Sequence, residues 1–193
     1  MHARLHAMEP RSRANGPGVR TVVWFQGCTL GCVGCFNPAT HTPSGVDNTD
    51  PSANFDTVVA GLASAAASGI EGLTLSGGEP MQQMDAAIAL LAAARLAGLS
   101  TLMFSGYTIE EIRQLPRGAE ALTLLDVLID GRYRSDLRLG QGLRGSRNQR
   151  VHLLSNRYTT RDIDDAPLGE VRIAPNGEVI LTGVTPLRLK ATK

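Results

Sequence analysis

The stretch from Val19 to Phe36, VRTVVWFQGCTLGCVGCF, joins a β-rich run to a loop of cysteines and glycines. Its first part, Val19 to Gln26, is rich in β-branched and aromatic residues, which predicts a buried strand. All three cysteines of the chain follow at once, at Cys28, Cys32 and Cys35. An odd number so tightly spaced does not indicate a disulfide framework, and it favours a ligand cluster in a reducing compartment.

The cysteine loop allows three interpretations at this point. The cysteines could be buried and inert, or they could bind a structural zinc ion with His41 as the fourth ligand. They could also hold three irons of a [4Fe-4S] cluster, which normally uses four cysteines. A missing fourth protein ligand would leave one iron open for a substrate or cofactor.

Outward from this loop, apolar strands alternate with helical segments. Residues 37–54 are crowded with Pro, Asn, Thr and Ser and predict a loop. Helices are expected over residues 55–68, 83–97 and 108–115, and further strands over 70–76, 99–104, 122–129 and 150–154. This alternation predicts an α/β fold with a mostly parallel sheet, and Asn176-Gly177 between two β-runs predicts a closing hairpin.

A second motif, Ser76-Gly77-Gly78-Glu79-Pro80, follows the predicted strand 70–76. By itself it fits an ordinary turn between a strand and a helix. The two glycines expose backbone polar groups, however, and Glu79 adds a carboxylate acceptor. Together they suit the ammonium group of a ligand.

Composition excludes several classes of protein. The 193 residues carry a formal net charge of +1 and only 4% aromatic side chains, which argues against a nucleic-acid surface. No apolar run reaches the ~20 residues of a membrane helix, and the N-terminus lacks the apolar core of a secretory signal. We expect a cytoplasmic protein without membrane or nucleic-acid partners.

The motifs together resemble the radical S-adenosylmethionine (radical SAM) superfamily, through C-x3-C-x2-C and Gly-Gly-Glu-Pro. Asn15-Gly-Pro-Gly-Val-Arg20 followed by Trp24-Phe-Gln-Gly-Cys28 resembles the activating enzymes of glycyl radical enzymes. Further segments are similar to the branch that activates anaerobic (class III) ribonucleotide reductase: Cys35-Phe-Asn-Pro38, Ser105-Gly-Tyr107, 126–131 and 144–149. The resemblance covers residues 15–155.

This resemblance implies a fold. It implies an incomplete (β/α) barrel of about six main strands, open on one side. Residues 1–193 would form a single radical SAM domain, with a core over about 15–155 and a C-terminal hairpin extension over about 169–185.

The resemblance also implies a chemistry. Cys28, Cys32 and Cys35 would hold a [4Fe-4S] cluster whose open iron binds S-adenosyl-L-methionine (SAM). Reductive cleavage of SAM would give a 5′-deoxyadenosyl radical, which takes hydrogen from a glycine of a partner glycyl radical enzyme. Flavodoxin or ferredoxin would supply the electron. The SAM-binding residues would be Ser76, Gly77, Gly78, Glu79, Ser105 and Asp130.

Two other functions stay open. The chain could be a stand-alone radical SAM enzyme acting on a peptide or small molecule, or a non-enzymatic zinc or iron–sulfur protein, against which Gly-Gly-Glu-Pro argues. Many activases have Asp where this chain has Asn15, and the C-terminal hairpin is unfamiliar in the shortest activases. The segment Gly16-Pro17-Gly18 is expected at the rim of the active face.

Overall fold

A six-stranded sheet runs through the computed structural model, which describes residues 3–42, 54–173 and 176–184. The strand order is β1-β2-β3-β4-β5-β8, in which β2 to β5 are parallel and the outer strands β1 and β8 run antiparallel to their neighbours. The bounds are β1 Leu5–Ser12, β2 Arg20–Phe25, β3 Gly72–Gly77, β4 Ser100–Phe104, β5 Val127–Asp130 and β8 Arg150–Leu153.

Five α-helices accompany the strands in the described ranges: α1 Phe55–Ala67, α2 Met84–Leu96, α3 Ile109–Gln114, α4 Gly118–Thr123 and α5 Thr160–Asp164. The side chain of Asn54 caps α1 by accepting from two backbone amides. A capping box, a pattern visible in the sequence as Thr108 followed three residues later by Glu111, starts α3, and the two side chains satisfy each other's backbone amides. Local sequence therefore sets these helix starts.

The parallel strands are buried on both faces, as their continuous apolar runs predict. Val23, Leu75, Met103 and Leu128, one from each parallel strand, belong to the main hydrophobic core and are fully buried. The core thus fixes the register of the sheet, and that register brings the carboxyl ends of β2, β3 and β4 to one edge.

The strand expected over residues 122–129 begins only at Val127. Residues 122 and 123 instead end α4, which follows Arg117 in the left-handed conformation (φ 60°), and residues 124–126 lie between this helix and the strand. The apolar run therefore divides between a helix end and a short strand. A continuous apolar run cannot by itself distinguish these states.

Besides α4, the sequence analysis did not predict β1, helix α5, or a small hairpin of β6 Arg138–Gln141 and β7 Arg144–Ser146. The sequence of β1, LHAMEPRS, has no regular alternation and contains a proline. Its strand conformation comes from antiparallel pairing with β2, broken by two register shifts. Proline is tolerated because β1 is an edge strand.

Near the C-terminal end, β9 Glu170–Ile173 pairs antiparallel with β10 Val179–Thr182, on either side of Asn176-Gly177. These two strands form a sheet of their own. Residues 174, 175 and 185 of the predicted hairpin, and 43–53 of the predicted loop, lie outside the described residues. In the described residues no helix is long and apolar enough to cross a bilayer.

Candidate functional site

The loops that follow β2, β3 and β4 surround a cavity of about 560 Å³ at the carboxyl edge of the parallel strands. Ligands bind at this edge in open α/β sheets. Its lining includes most of the residues that the sequence singled out: Cys28, Cys32, Cys35, Ser76, Gly77, Gly78, Glu79 and Ser105. Residues far apart in sequence therefore face one space, as the motif analysis predicts.

The cysteine loop is tied to the body at its start. The amide of Gly27 donates to the Thr40 carbonyl over 2.7 Å, and the amide of Cys28 donates to the His41 carbonyl over 3.1 Å. All three cysteines are free thiols and half-buried. Burial raises the pKa of Cys28 and Cys35 above the ordinary value. A bound metal would favour the thiolate instead.

Within residues 3–42, 54–173 and 176–184, no three His, Cys, Asp or Glu side chains are grouped closely enough to hold a metal ion. The cysteines share a cavity but do not form a preformed ligand set, and His41 lines the cavity without completing one. The loop has room to adjust, since a Cβ on Gly31 would meet nothing within 4 Å. Three thiols beside an open space fit an iron–sulfur cluster in donor type, with one iron left without a cysteine.

The Gly77-Gly78 turn packs directly on the end of β2 and the start of the cysteine loop. A Cβ on Gly77, whose φ is +97°, would lie 2.5 Å from the amide nitrogen of Phe25, and one on Gly78 would overlap the Gly27 carbonyl. The amide of Gly78 donates to Phe25 and that of Glu79 donates to Gly27. Glycine is required here because two backbones touch.

The side chain of Glu79 is buried in the lining of the cavity and accepts three hydrogen bonds. Oε1 accepts from the Met81 amide and the Ser105 hydroxyl, both over 2.9 Å, and Oε2 accepts from the Gly106 amide over 2.7 Å. Burial nevertheless raises the pKa of Glu79 to about 7. The carboxylate is thus held rigidly, with acceptor capacity left for one further donor.

Asp130 lies just outside the cavity lining, and its expected role in SAM binding stays a prediction. It is fully buried, and its carboxylate accepts from the Ile109 amide over 2.6 Å and from Arg150 over 2.7 Å. Burial acts to raise the pKa of Asp130, but these bonds outweigh it and the pKa is lowered. The neighbouring residue Gly131 lines the cavity, whereas Asp130 does not. Asp130 therefore joins α3 to β8, and this position gives no support to direct SAM binding.

The segment Gly16-Pro17-Gly18 follows directly after a residue of the cavity lining, and its place at the rim of the active face stays a prediction. Asn15 lines the cavity, but Gly18 has a φ of +73° and packs against the carboxylate of Glu71. That carboxylate accepts from the Val19 amide over 2.9 Å. The glycine at 18 therefore serves the backbone turn before β2 and not the cavity.

Sequence reasoning missed two walls of the cavity. One comes from β1, through residues 6–9, and the other from β10 and the residues after it. The Asn-Gly signal predicts a hairpin near residue 176 but carries no information on where that hairpin packs. No sequence pattern in β1 marks it as part of the site.

The family model described as a 4Fe-4S single cluster domain matches residues 14–152. The anaerobic ribonucleoside-triphosphate reductase-activating protein of Enterobacteria phage T4 is 33% identical over 146 residues, covering 74% of this chain and 88% of that protein. The protein of that name from Salmonella typhi is 31% identical over 157 residues, 78% of this chain and 99% of its own length.

A shorter match joins the chain to a second kind of activating enzyme. The pyruvate formate-lyase-activating enzyme of Listeria monocytogenes is 40% identical over 83 residues, 42% of this chain and 32% of that protein. The matched family favours an iron–sulfur cluster over the zinc interpretation of the cysteine loop. The motifs line one cavity, and the family model and the reductase-activating relatives each match most of the chain. The chain therefore belongs to the radical SAM family of activating enzymes and contains a 4Fe-4S single cluster domain.

Proposed function

We propose that this enzyme cleaves SAM reductively and abstracts hydrogen from a glycine of a partner glycyl radical enzyme, of the anaerobic ribonucleotide reductase type. The observation that carries the proposal is the shared cavity of Cys28, Cys32, Cys35 and the Gly-Gly-Glu turn at the carboxyl edge of the sheet. The names of the relatives, which are reductase-activating proteins, support the choice of partner.

In this proposal the three cysteines hold a [4Fe-4S] cluster. When bound, the reduced cluster and SAM supply a 5′-deoxyadenosyl radical, a reactive species that the protein has to keep from water. The cysteine loop positions the ligands, since Gly27 and Cys28 are anchored by their amides to residues 40 and 41. The fourth iron has no cysteine in this chain to bind it, because the chain contains only three.

Glu79, with Ser76, Gly77 and Gly78, would bind the amino group of SAM. Support comes from the fixed orientation of the Glu79 carboxylate, which Met81, Ser105 and Gly106 hold in place. Ser105 would act through Glu79 as well as by lining the cavity. Asp130 would act indirectly, by holding Arg150 of β8 and the start of α3.

The remaining parts of the proposal concern architecture and setting. We propose a single radical SAM domain over residues 1–193, with the parallel strands as the core of an incomplete barrel open toward the partner. A flavodoxin or ferredoxin would reduce the cluster, in the cytoplasm. The open carboxyl edge of the sheet supports access for a protein loop.

The test is anaerobic reconstitution, followed by reaction with SAM, a reductant and the anaerobic ribonucleotide reductase of the same organism. We expect 5′-deoxyadenosine to form slowly without the reductase. With it, a glycine-centred radical should be seen by electron paramagnetic resonance. Fast, repeated modification of a peptide or small molecule without any glycyl radical would favour the stand-alone enzyme instead.

A further inference from the structure

We propose that β10 forms the substrate side of the cavity, and that its free edge pairs main chain to main chain with the glycine-bearing segment of the partner. The inference rests on the proposed function and deepens it, because it names the part of the chain that receives the partner and the conformation in which the glycine arrives. That conformation is an extended strand.

The first argument is the way in which β10 meets the cavity. Consecutive residues line it, from Ile180 through Leu181, Thr182 and Gly183 to Val184, while in β9 no residue of Glu170–Ile173 does. Successive side chains of a strand point to opposite faces. An unbroken run of lining residues therefore means that the cavity opens along the edge of β10 and not onto one face of the hairpin.

The second argument is that this edge has no strand beside it. Within the part of the chain that the structure describes, β10 pairs with β9 and with no other strand. An edge strand presents a row of unpaired N–H and C=O groups, which is a template for an extended segment of another chain. The same cavity contains the cysteines and the Gly-Gly-Glu turn. A strand added to β10 would thus run past the site of the proposed chemistry.

The third argument is that the hairpin is held firmly against the body by its polar side chains. Glu170 accepts from the Arg13 amide over 3.0 Å, and Arg172 pairs with Glu9 and donates to the Arg11 carbonyl over 2.9 Å. A rigid edge loses little conformational freedom when a partner strand is added, which favours binding.

The outer face of the hairpin is apolar. Ile173 and Val179 are paired across the strands and are 74% and 45% exposed, and Val171 is 43% exposed. A segment that extends the sheet at β10 would place its own side chains beside this face. The hairpin also lies beyond residues 14–152, the range that the family model matches.

The experiment uses the full chain and a labelled peptide centred on the radical-bearing glycine of the anaerobic reductase. Binding is measured by fluorescence anisotropy, and amide exchange of residues 179–182 by hydrogen–deuterium exchange with and without the peptide. We expect the peptide to slow exchange at alternate amides of β10, because successive N–H groups point to opposite edges of a strand.

Ile180→Pro and Leu181→Pro form a matched pair of variants. Because residues 180 and 181 are neighbours in the strand, their N–H groups point to opposite edges, and one of the two substitutions removes an N–H from the free edge. The other substitution removes an N–H that pairs with β9, and it should lower the unfolding temperature. The variant that keeps the wild-type unfolding temperature should bind the peptide about five- to ten-fold more weakly, as expected for one lost hydrogen bond. It should also give less glycyl radical per SAM cleaved.

Three results would overturn the inference. The first is wild-type peptide affinity in the free-edge variant, and the second is unchanged exchange in β10 when peptide is bound. The third is amide exchange in β10 that slows as the protein concentration rises, without any peptide. That result would assign the edge to a second copy of the chain. If the wild-type chain makes glycyl radical without β10 protection, the proposed function stands and only this inference falls. If β10 is protected and no radical forms on the reductase, the proposed function fails instead.

Discussion

The side-chain amide of Asn15 donates a hydrogen bond to the Thr182 hydroxyl over 2.7 Å, joining positions 167 residues apart in the chain. The same nitrogen donates to the Ser12 hydroxyl over 2.8 Å, and both interactions are buried. The resemblance to activases places Asp at this position in many of them. An ionised Asp accepts only, so both hydroxyls would have to turn and donate. The Asn side chain is thus suited to fixing the hairpin at the cavity.

The backbone of Asn15 links this contact to further hydrogen bonds inside the sheet. The Asn15 carbonyl accepts from Thr74 Oγ1 over 2.8 Å, and Thr74 Oγ1 accepts from Arg20 Nε over 2.7 Å. A polar chain therefore runs from the middle of the sheet to the wall of the cavity, and its end members can be tested separately.

The first prediction concerns the coupling between Asn15 and Thr182. In a double-mutant cycle of Asn15→Ala and Thr182→Val, we expect a coupling energy of about 1 kcal/mol, as for one buried hydrogen bond. Urea unfolding measures it. Combining Asn15→Ala with Thr123→Val, whose hydroxyl bonds locally to the Glu120 carbonyl, should give additive changes. A coupling near zero for the Asn15–Thr182 pair would contradict the contact.

The second prediction concerns Arg20, whose side chain is fully buried between strands. Among the described residues, the acceptors of its guanidinium are neutral groups, which include Thr74, Ser100, Tyr158 and the Leu73 carbonyl. Burial lowers the pKa of Arg20, although Tyr158 opposes this. Arg20→Met should leave several buried acceptors without donors and lower the free energy of unfolding by at least about 3 kcal/mol.

Arg117 provides the matched control for that variant. It also forms several bonds, to Asp85 and Glu120, but lies at the surface. Arg117→Met should leave the urea midpoint close to wild type, because exposed ion pairs contribute little. Equal losses of unfolding free energy in the two variants would show that the burial of Arg20 does not explain its contribution to stability.

The third prediction follows from the pKa of Glu79, which burial raises from an ordinary 4.5 to about 7. A carboxyl with a raised folded-state pKa gives its full stability below pH 4.5, and this contribution is lost as pH rises through 7. Between pH 5 and pH 8 the wild type should lose about 2 to 3 kcal/mol relative to Glu79→Gln. Parallel pH profiles of urea unfolding for the two metal-free proteins would contradict the raised pKa.

The fourth prediction concerns SAM binding by Glu79. Loss of one charge-assisted hydrogen bond to the SAM amino group should weaken SAM binding by roughly ten-fold or more in Glu79→Gln. Anaerobic calorimetry measures the affinity, and iron content should stay unchanged. Glu110→Gln is the control, since Glu110 lies on α3 and pairs with Arg150. Unchanged affinity in Glu79→Gln would leave this residue with a purely structural role.

The fifth prediction concerns the metal. Anaerobically reconstituted protein should be brown and contain about four irons per chain, and Cys32→Ala should lose both the colour and SAM cleavage. A chelator that removes the iron should do the same to the wild type. Stoichiometric zinc without uptake of iron or sulfide would contradict the assignment. Thr29→Ala, in the same loop, is a control for general damage, since the Thr29 hydroxyl accepts a hydrogen bond from Gln82 and is not a cluster ligand in the proposal.

Much of the fold was predictable because the signals are local. The apolar runs in β2, β3 and β4, the capping box at Thr108 and the turn at Asn176-Gly177 each reside in a few neighbouring residues. Their conformations depend on backbone propensity and on short-range hydrogen bonds. The same holds for the Cys28–Cys35 spacing, whose chemistry is carried by residue types and not by packing.

Other features were decided only when distant segments met. The sequence LHAMEPRS becomes a strand because β2 offers it an edge, and Asp130 is drawn to Ile109 and Arg150 because α3 and β8 pack on either side of it. Short-range patterns cannot distinguish an Asp that faces a ligand from one that joins two elements, since both end a buried strand.

The sequence alone thus determined the strand–loop unit from Val19 to Phe36, the Gly-Gly-Glu turn and the family that they indicate. Tertiary structure decided which walls enclose the cavity. The contact of Asn15 with Thr182 depends on closing a loop of most of the chain, and such a closure is set by the packing of the whole sheet and not by any local preference.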